Sequence, residues 1–426
     1  MPLYPEQLEL AVAALRFILP LREPADVTLS RFFRENPKLG LNDRAFIAET
    51  VFGILRRKRF LETITGKPTP RLLLLAYLAR LQGMNMRELE PYLQGDEGDR
   101  IKEIKAVSTD SLPLAIQADF PDWLVEKLQS FMDDKEIMTL ARSMQQPASL
   151  DIRVNTVLAN RDEVLEVLSK DGIEAQPTPF SPIGIRLKAK PAINKHPLFL
   201  EGKIEIQDEG SQLLGFIVGP KRQEMIVDFC AGAGGKTLLL GALMKSQGRI
   251  YAFDVSEKRL NNLKPRLKRS GLSNLHPQLI NNENDSKVKR LHGKIDRVLV
   301  DAPCSGLGTL RRNPDLKWRQ TPEAIEELKV KQAAILTSAS KLLKTGGRLV
   351  YATCSILKEE NEGIVEAFLA AHPDFELKNC AEILAQQQIA VDTGEYLRLN
   401  PAVHATDGFF AAVMEKRTPM DAPAAT

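Results

Sequence analysis

A glycine-rich turn between an apolar strand-like run and an apolar helix restricts the folds open to this chain more than any other feature. Residues 225–229 are short and apolar, the turn Cys230-Ala231-Gly232-Ala233-Gly234-Gly235-Lys236-Thr237 follows, and residues 238–244 read as helix. Such a junction presents backbone N–H groups and the positive end of a helix to a ligand. The pattern then repeats without the glycines. Residues 249–253, 297–300 and 348–352 are short apolar runs, separated by helical stretches at 258–269, 322–343 and 360–370. Alternation of this kind predicts βαβ units and a mostly parallel, doubly wound sheet over residues 207–417. Residues 409–414 supply a late strand, expected at the sheet edge.

The chain before this region has a different texture. Leu8, Val12, Leu15 and Leu19 fall at helical spacing, and Pro20 stops that run. Asn42-Asp43 is read as the cap of a second helix that carries Ile47, Val51 and Ile54 on one face. Pro70 opens a run, 72–81, that is apolar nearly all round and therefore expected to be buried. Residues 121–131 and 134–144 give two more helices, so residues 1–145 read as an all-α domain. From 146 to 206, strand-like stretches at 150–154 and 183–187 flank a helix at 161–170, which describes a small α/β segment. Residues 418–426 read as a disordered tail.

At 426 residues the chain is too long for one ordinary core. No apolar run is long enough to span a bilayer, and the opening residues lack the pattern of a signal peptide. Four widely spaced cysteines suggest free thiols in a reducing compartment, read as cytoplasmic, and argue against a structural metal site. A net charge of +3 does not announce a nucleic-acid binder. The cations are clustered, however, at Arg56-Arg57-Lys58-Arg59, at Lys264, Arg266, Lys268 and Arg269, and at Lys287, Lys289 and Arg290. The first three sets read as solvated helix faces. The stretch Arg311 to Arg319, which interleaves cations with Trp318 and directly follows Cys304, is read instead as a candidate for phosphate contact and base stacking.

The glycine loop has two readings. As a phosphate loop it has Gly235-Lys236-Thr237 at its end but Cys230 where the first glycine belongs, with Asp301 after an apolar strand to hold magnesium. As a nucleoside-cofactor loop it has Gly232 and Gly234, and Asp254 closes the next strand where a ribose hydroxyl is gripped. Asp254 is equally readable as a helix cap. Two cysteines separate these readings. Cys304, in Asp301-Ala302-Pro303-Cys304-Ser305-Gly306, and Cys354, in Tyr351-Ala352-Thr353-Cys354-Ser355, each end a strand-like run. Both are expected in the crevice outside the carboxyl ends of the strands. A phosphate-loop enzyme has no need of them. Methyl transfer to a pyrimidine does: carbon 5 of cytosine is too weak a nucleophile until a thiolate adds at carbon 6.

These segments resemble the RNA cytosine-5 methyltransferases of the Sun/Fmu (RsmB) type, bacterial enzymes of small-subunit (16S) ribosomal RNA, over nearly the whole chain. The resemblance rests on Cys230 to Lys236, Asp301 to Gly306, and Thr353-Cys354-Ser355 followed by Glu360-Asn361-Glu362. It implies a Rossmann-like class I core using S-adenosylmethionine, an N-terminal domain like the antitermination factor NusB, and a small RNA-binding segment marked by Arg153-Val154-Asn155. It makes Cys354 the nucleophile, Cys304 the residue assisting product release, and Asp301 the carboxylate facing the target base and the cofactor. Cys230, Ala231, Gly232, Ala233, Gly234, Gly235 and Lys236 would hold the methionine moiety, and Asp254 the ribose. An acidic residue near the adenine is nominated as Asp285 over Asn282 and Glu283. Ala233 stands where many members have proline. RNA is the implied partner of a monomeric enzyme, with no membrane or metal. An NTPase or kinase, and a non-catalytic RNA-binding scaffold, are the alternatives. Glu360-Asn361-Glu362 is read as a helix start with favourable charge, outside the catalytic set.

Overall fold

A computed structural model describes residues 4–418, and the expected tail lies almost wholly outside them. The chain divides into two compact units. One comprises residues 1–147 together with Thr309–Pro322; the other comprises Ala148–Gly308 and residues 323–426.

The first unit is helical. Its longer helices are Pro5–Ile18, Ala25–Glu35, Leu41–Arg56, Pro70–Arg80, Glu97–Ala106 and Asp134–Met144. Proline begins the first of these and the fourth, where its missing N–H costs nothing. Thr69 caps Pro70–Arg80 by accepting the Leu72 N–H at 3.1 Å. Every residue from 72 to 79 is buried, five of them leucines, each worth about 1.5–3 kcal/mol of apolar transfer. The helix Leu41–Arg56 is opened by Gly40 rather than by Asn42, with Asp43 accepting the Gly40 N–H at 3.1 Å.

Thr309–Pro322, assigned from the sequence to the sheet domain, packs with the helices. Asp315 accepts the N–H of Ala25 at the start of its helix, 3.2 Å away, and Arg56 donates to the Arg311 carbonyl at 2.9 Å. Lys317, 3 % exposed, donates to the Arg56 carbonyl at 3.0 Å and lies 3.9 Å from the wholly buried Asp119. Burial pushes the Lys317 ammonium down to about 8. The phosphate-contact reading is therefore corrected at Lys317, which a buried carboxylate and a helix end claim, while Arg319 pairs with Asp315 at 3.1 Å. The Arg56 to Arg59 block is likewise no solvated face. Arg57 pairs with Asp119 at 3.1 Å, and Arg59 with Asp122 at 2.8 Å.

The second unit holds two sheets. The strands β1 Leu150–Val154, β2 Ala175–Pro177, β3 Gly184–Leu187 and β4 Ile204–Ile206 form an antiparallel sheet in the order β2-β3-β1-β4. The larger sheet contains β5 Met225–Asp228, β6 Arg249–Asp254, β7 Leu275–Leu279, β8 Ile295–Asp301, β9 Leu343–Thr353, β10 Phe375–Lys378, β11 Leu397–Leu399 and β12 Phe409–Lys416. Its order is β10-β12-β9-β8-β5-β6-β7, with β11 added on β12. The stretch β7-β6-β5-β8-β9 is parallel and β12 is antiparallel to both neighbours, so the α/β, mostly parallel class agrees with the sequence reading. The position of β12 does not. It lies between β9 and β10 rather than at an edge, and residues 411–414 are fully buried. An uninterrupted apolar run is what burial on both faces demands.

Candidate active site at the strand ends

β5 pairs with β6 on one side and β8 on the other. The chain runs through β6 and β7 in one direction, then crosses to β8 and β9. The order therefore reverses at β5, where open α/β sheets form their ligand crevice. The glycine turn leaves β5 at that point and leads into helix Gly235–Leu243.

Backbone bonds shape the turn. Ala231 N–H donates to the Phe253 carbonyl at 2.8 Å, and Gly234 N–H to the Ala231 carbonyl at 2.9 Å. Gly232 and Gly234 take φ of +57° and +81°, a region L side chains rarely adopt. A β-carbon on Gly234 would stand 2.1 Å from Leu263, whereas one on Gly232 would meet nothing within 4 Å. The loop thus packs on one side and opens a cradle on the other. Asp254, at the end of β6, accepts Gly232 N–H at 2.8 Å on one oxygen and Ser256 N–H at 2.7 Å on the other. Each carboxylate oxygen accepts two hydrogen bonds, so one position on each is left for a ribose hydroxyl. The cap reading of Asp254 is corrected, since Ser256 caps the helix Glu257–Ser270, and the residues fit a nucleoside cofactor.

They do not fit a triphosphate. Lys236 would have to reach the phosphates and Thr237 the magnesium. Lys236 Nζ instead lies 2.6 Å from Asp301 Oδ2, and Thr237 Oγ1 donates to the buried Asp228 at 2.7 Å. Burial opposes the charge on Lys236, but Asp301 and, more weakly, Cys354 outweigh it and raise its pKa. Cys230, partly buried, packs against the core, and burial pushes its thiol up. Asp285 accepts the N–H groups of Lys287 and Asn281, both at 2.9 Å, and so orders the loop after β7.

Asp301 ends β8, and the loops after β8 and β9 bring the two cysteines together, with the sulfurs of Cys304 and Cys354 3.5 Å apart. Cys354 beside it, and then burial, raise the Cys304 thiol well above its ordinary range. Beside the two cysteine loops lies a residue that the sequence reading left outside the catalytic set as a helix start. Glu360 is fully buried, and its carboxylate accepts Ser305 N–H at 2.8 Å, the hydroxyls of Ser305 and Ser355 at 2.5 Å each, and Gln332 Nε2 at 2.9 Å. Asn361 adds Nδ2 to the Ser355 carbonyl at 3.1 Å and accepts Thr353 Oγ1 at 2.5 Å. One carboxylate therefore ties both cysteine loops together. The available signal was its place six residues after Cys354, but charge at a helix start looks the same in a sequence whether it is solvated or buried.

Among the described residues no group of His, Cys, Asp and Glu is arranged to hold a metal ion, and no helix is long and apolar enough to cross a membrane.

A switch-point cradle, a carboxylate at the second strand end and a carboxylate beside paired thiols define a class I S-adenosylmethionine-dependent methyltransferase. Comparison with known proteins narrows the class. Residues 216–415 match the family described as 16S rRNA methyltransferase RsmB/F, and residues 120–194 match the RsmF/B-like ferredoxin-like domain. The probable ribosomal RNA small subunit methyltransferase B of Synechocystis is 34 % identical, over 96 % of this chain and 99 % of its own. The Bacillus subtilis counterpart is 31 % identical over 76 % of this chain and 72 % of its own. The crystal structure of PH0851 superposes with a TM-score of 0.79 at 28 % identity, covering 98 % of this chain and all of the other. The chain belongs to the ribosomal RNA small-subunit methyltransferase B family and is an S-adenosylmethionine-dependent rRNA methyltransferase.

Proposed function

We propose that this protein methylates carbon 5 of a cytosine in 16S ribosomal RNA through a covalent bond between Cys354 and carbon 6. The observation that carries the reading is the pair of sulfurs 3.5 Å apart beside the Lys236–Asp301 ion pair. Asp301 accepts from the amino edge of the cytosine, and Lys236, 2.6 Å away, holds its carboxylate in place. The Cys354 thiolate adds to carbon 6, which makes carbon 5 nucleophilic. Residues 230–236 and Asp254 would hold S-adenosylmethionine, which would supply the methyl group and leave as S-adenosylhomocysteine. Cys304 assists the last step, in which a base takes the carbon 5 proton, its electron pair re-forms the carbon 5–carbon 6 double bond, and Cys354 leaves as a thiolate. Asp285 orders the loop expected on the adenine side. The helical unit and the four-stranded sheet are assigned to contacts with RNA, or with a protein partner in the case of the helices. The described cysteines are all free, which supports a cytoplasmic enzyme, taken here as a monomer.

Cys354→Ala is expected to abolish transfer from labelled cofactor while leaving cofactor binding by calorimetry unchanged. Cys304→Ala is expected to accumulate a protein–RNA adduct on a denaturing gel. An adduct that survives Cys354→Ala would overturn the assignment, and bisulfite mapping of 16S RNA would identify the cytosine.

A further inference from the structure

The cationic helix Glu257–Ser270 is positioned to set the shape of the cofactor loop. Its N-terminal end follows Asp254 and is capped by Ser256. Along its length it meets the glycine turn twice. Leu263 fills the space beneath Gly234, and Arg266 donates through Nη1 to the Ala233 carbonyl at 2.6 Å. Its C-terminal end is held by the four-stranded sheet. Glu205 of β4, 4 % exposed, accepts from Arg266 at 2.9 Å and from Arg269 at 2.6 Å. Asn155 donates to the Ser270 carbonyl at 2.9 Å, and a β-carbon on Gly202 would stand 2.0 Å from the Arg269 carbonyl. Arg269 also stacks over Phe199, 4.1 Å from the ring centroid.

Arg266 is thus shared between a buried carboxylate on one sheet and a carbonyl of the cofactor loop on the other. A guanidinium fork can serve both partners at once, which an ammonium on a flexible stem cannot do with the same geometry. The carbonyl of Ala233 lies between two glycines with positive φ, where the backbone has most freedom to move. We propose that Arg266 is a positioning residue for the S-adenosylmethionine loop, and that Glu205 makes the four-stranded sheet a structural support of that loop rather than only an RNA contact. The proposal is independent of which base is methylated, because its test reads cofactor binding without RNA.

The test uses the full chain. For Arg266→Ala, the calorimetric Kd and the KM for S-adenosylmethionine are expected to rise about tenfold, the loss of one charge-assisted bond. The kcat at saturating cofactor should change less than about twofold, since no group in contact with the reacting atoms is removed. Amide hydrogen exchange over residues 230–236 of the cofactor-free protein should quicken. Arg266→Lys should recover part of the affinity, and Glu205→Gln should show the same pattern as Arg266→Ala at smaller amplitude. Lys268→Ala, an exposed change on the same helix, is the control for charge alone. Unchanged cofactor affinity and loop exchange in Arg266→Ala would overturn the proposal. An effect of Arg266→Ala that Glu205→Gln does not share would overturn the part assigned to the sheet.

Discussion

Asp228 ends β5 just before the glycine turn, 1 % exposed, and only one of its oxygens is paired, with Thr237. Burial, opposed by the Thr237 bond, raises its pKa to about 7. The folded protein therefore retains a proton that the unfolded chain releases near the ordinary carboxylate range. The stabilisation this supplies is complete below that range and is lost as pH rises through about 7. Asp228→Asn keeps the shape and an acceptor for Thr237 but cannot ionise. Relative to this variant, the wild-type urea midpoint is expected to fall between about pH 5 and about pH 8. Parallel pH profiles for the two proteins would show that Asp228 remains ionised throughout. The same scale shows what a sequence can and cannot convey. Cys304, Cys354 and Asp301 were legible because their motifs are contiguous. Lys236 was legible only as a member of the loop, since its bond to Asp301 crosses 65 positions of chain.

The two cysteine loops depend on close backbone approach as well as on side chains. Gly308 donates to the Cys354 carbonyl at 2.8 Å and accepts from Gly408 N–H at 2.8 Å. A β-carbon on Gly308 would lie 2.2 Å from the Gly408 carbonyl oxygen. Gly308→Ala is therefore expected to destabilise the protein by about 2 kcal/mol or more and to lower kcat with little change in cofactor affinity. Glu360→Gln exchanges an oxygen that accepts for an amide that donates, facing donors already in place. It should cost about 3 kcal/mol, measured by chemical denaturation, and slow adduct formation by Cys354. Wild-type stability for Glu360→Gln would remove the carboxylate from its place as the tie between the loops. Among the elements themselves, Asp134–Met144 was legible at both ends, whereas Ala25–Glu35 and Glu97–Ala106 were not read from the sequence. The short helices Lys58–Thr65 and Leu114–Ala118 were not, because tertiary packing rather than local periodicity sustains pieces of that length.

At the scale of the molecule, the unexpected feature is that the chain leaves the sheet unit just after the Cys304 loop, packs Thr309–Pro322 among the helices, and returns. Residues 310, 311, 314, 315 and 317 are buried there, around Asp119 and the end of Leu41–Arg56. A chain beginning at Ala148 would leave this segment without its packing. Trypsin is then expected to cut rapidly after Arg311, Arg312, Lys317 or Arg319, sites protected in the full chain, as read by mass spectrometry of short digests. Equal protection in both chains would contradict that packing role. The fold class, the glycine turn and the placement of both thiols at strand ends could be read from the sequence, because each is written in neighbouring residues: a glycine turn between two apolar periods, and two cysteines after apolar runs. The partners of Arg266, Lys236, Glu360 and Lys317 could not. Each is a charged residue whose role depends on a group tens or hundreds of positions away, and only the folded chain brings these together and excludes water from between them.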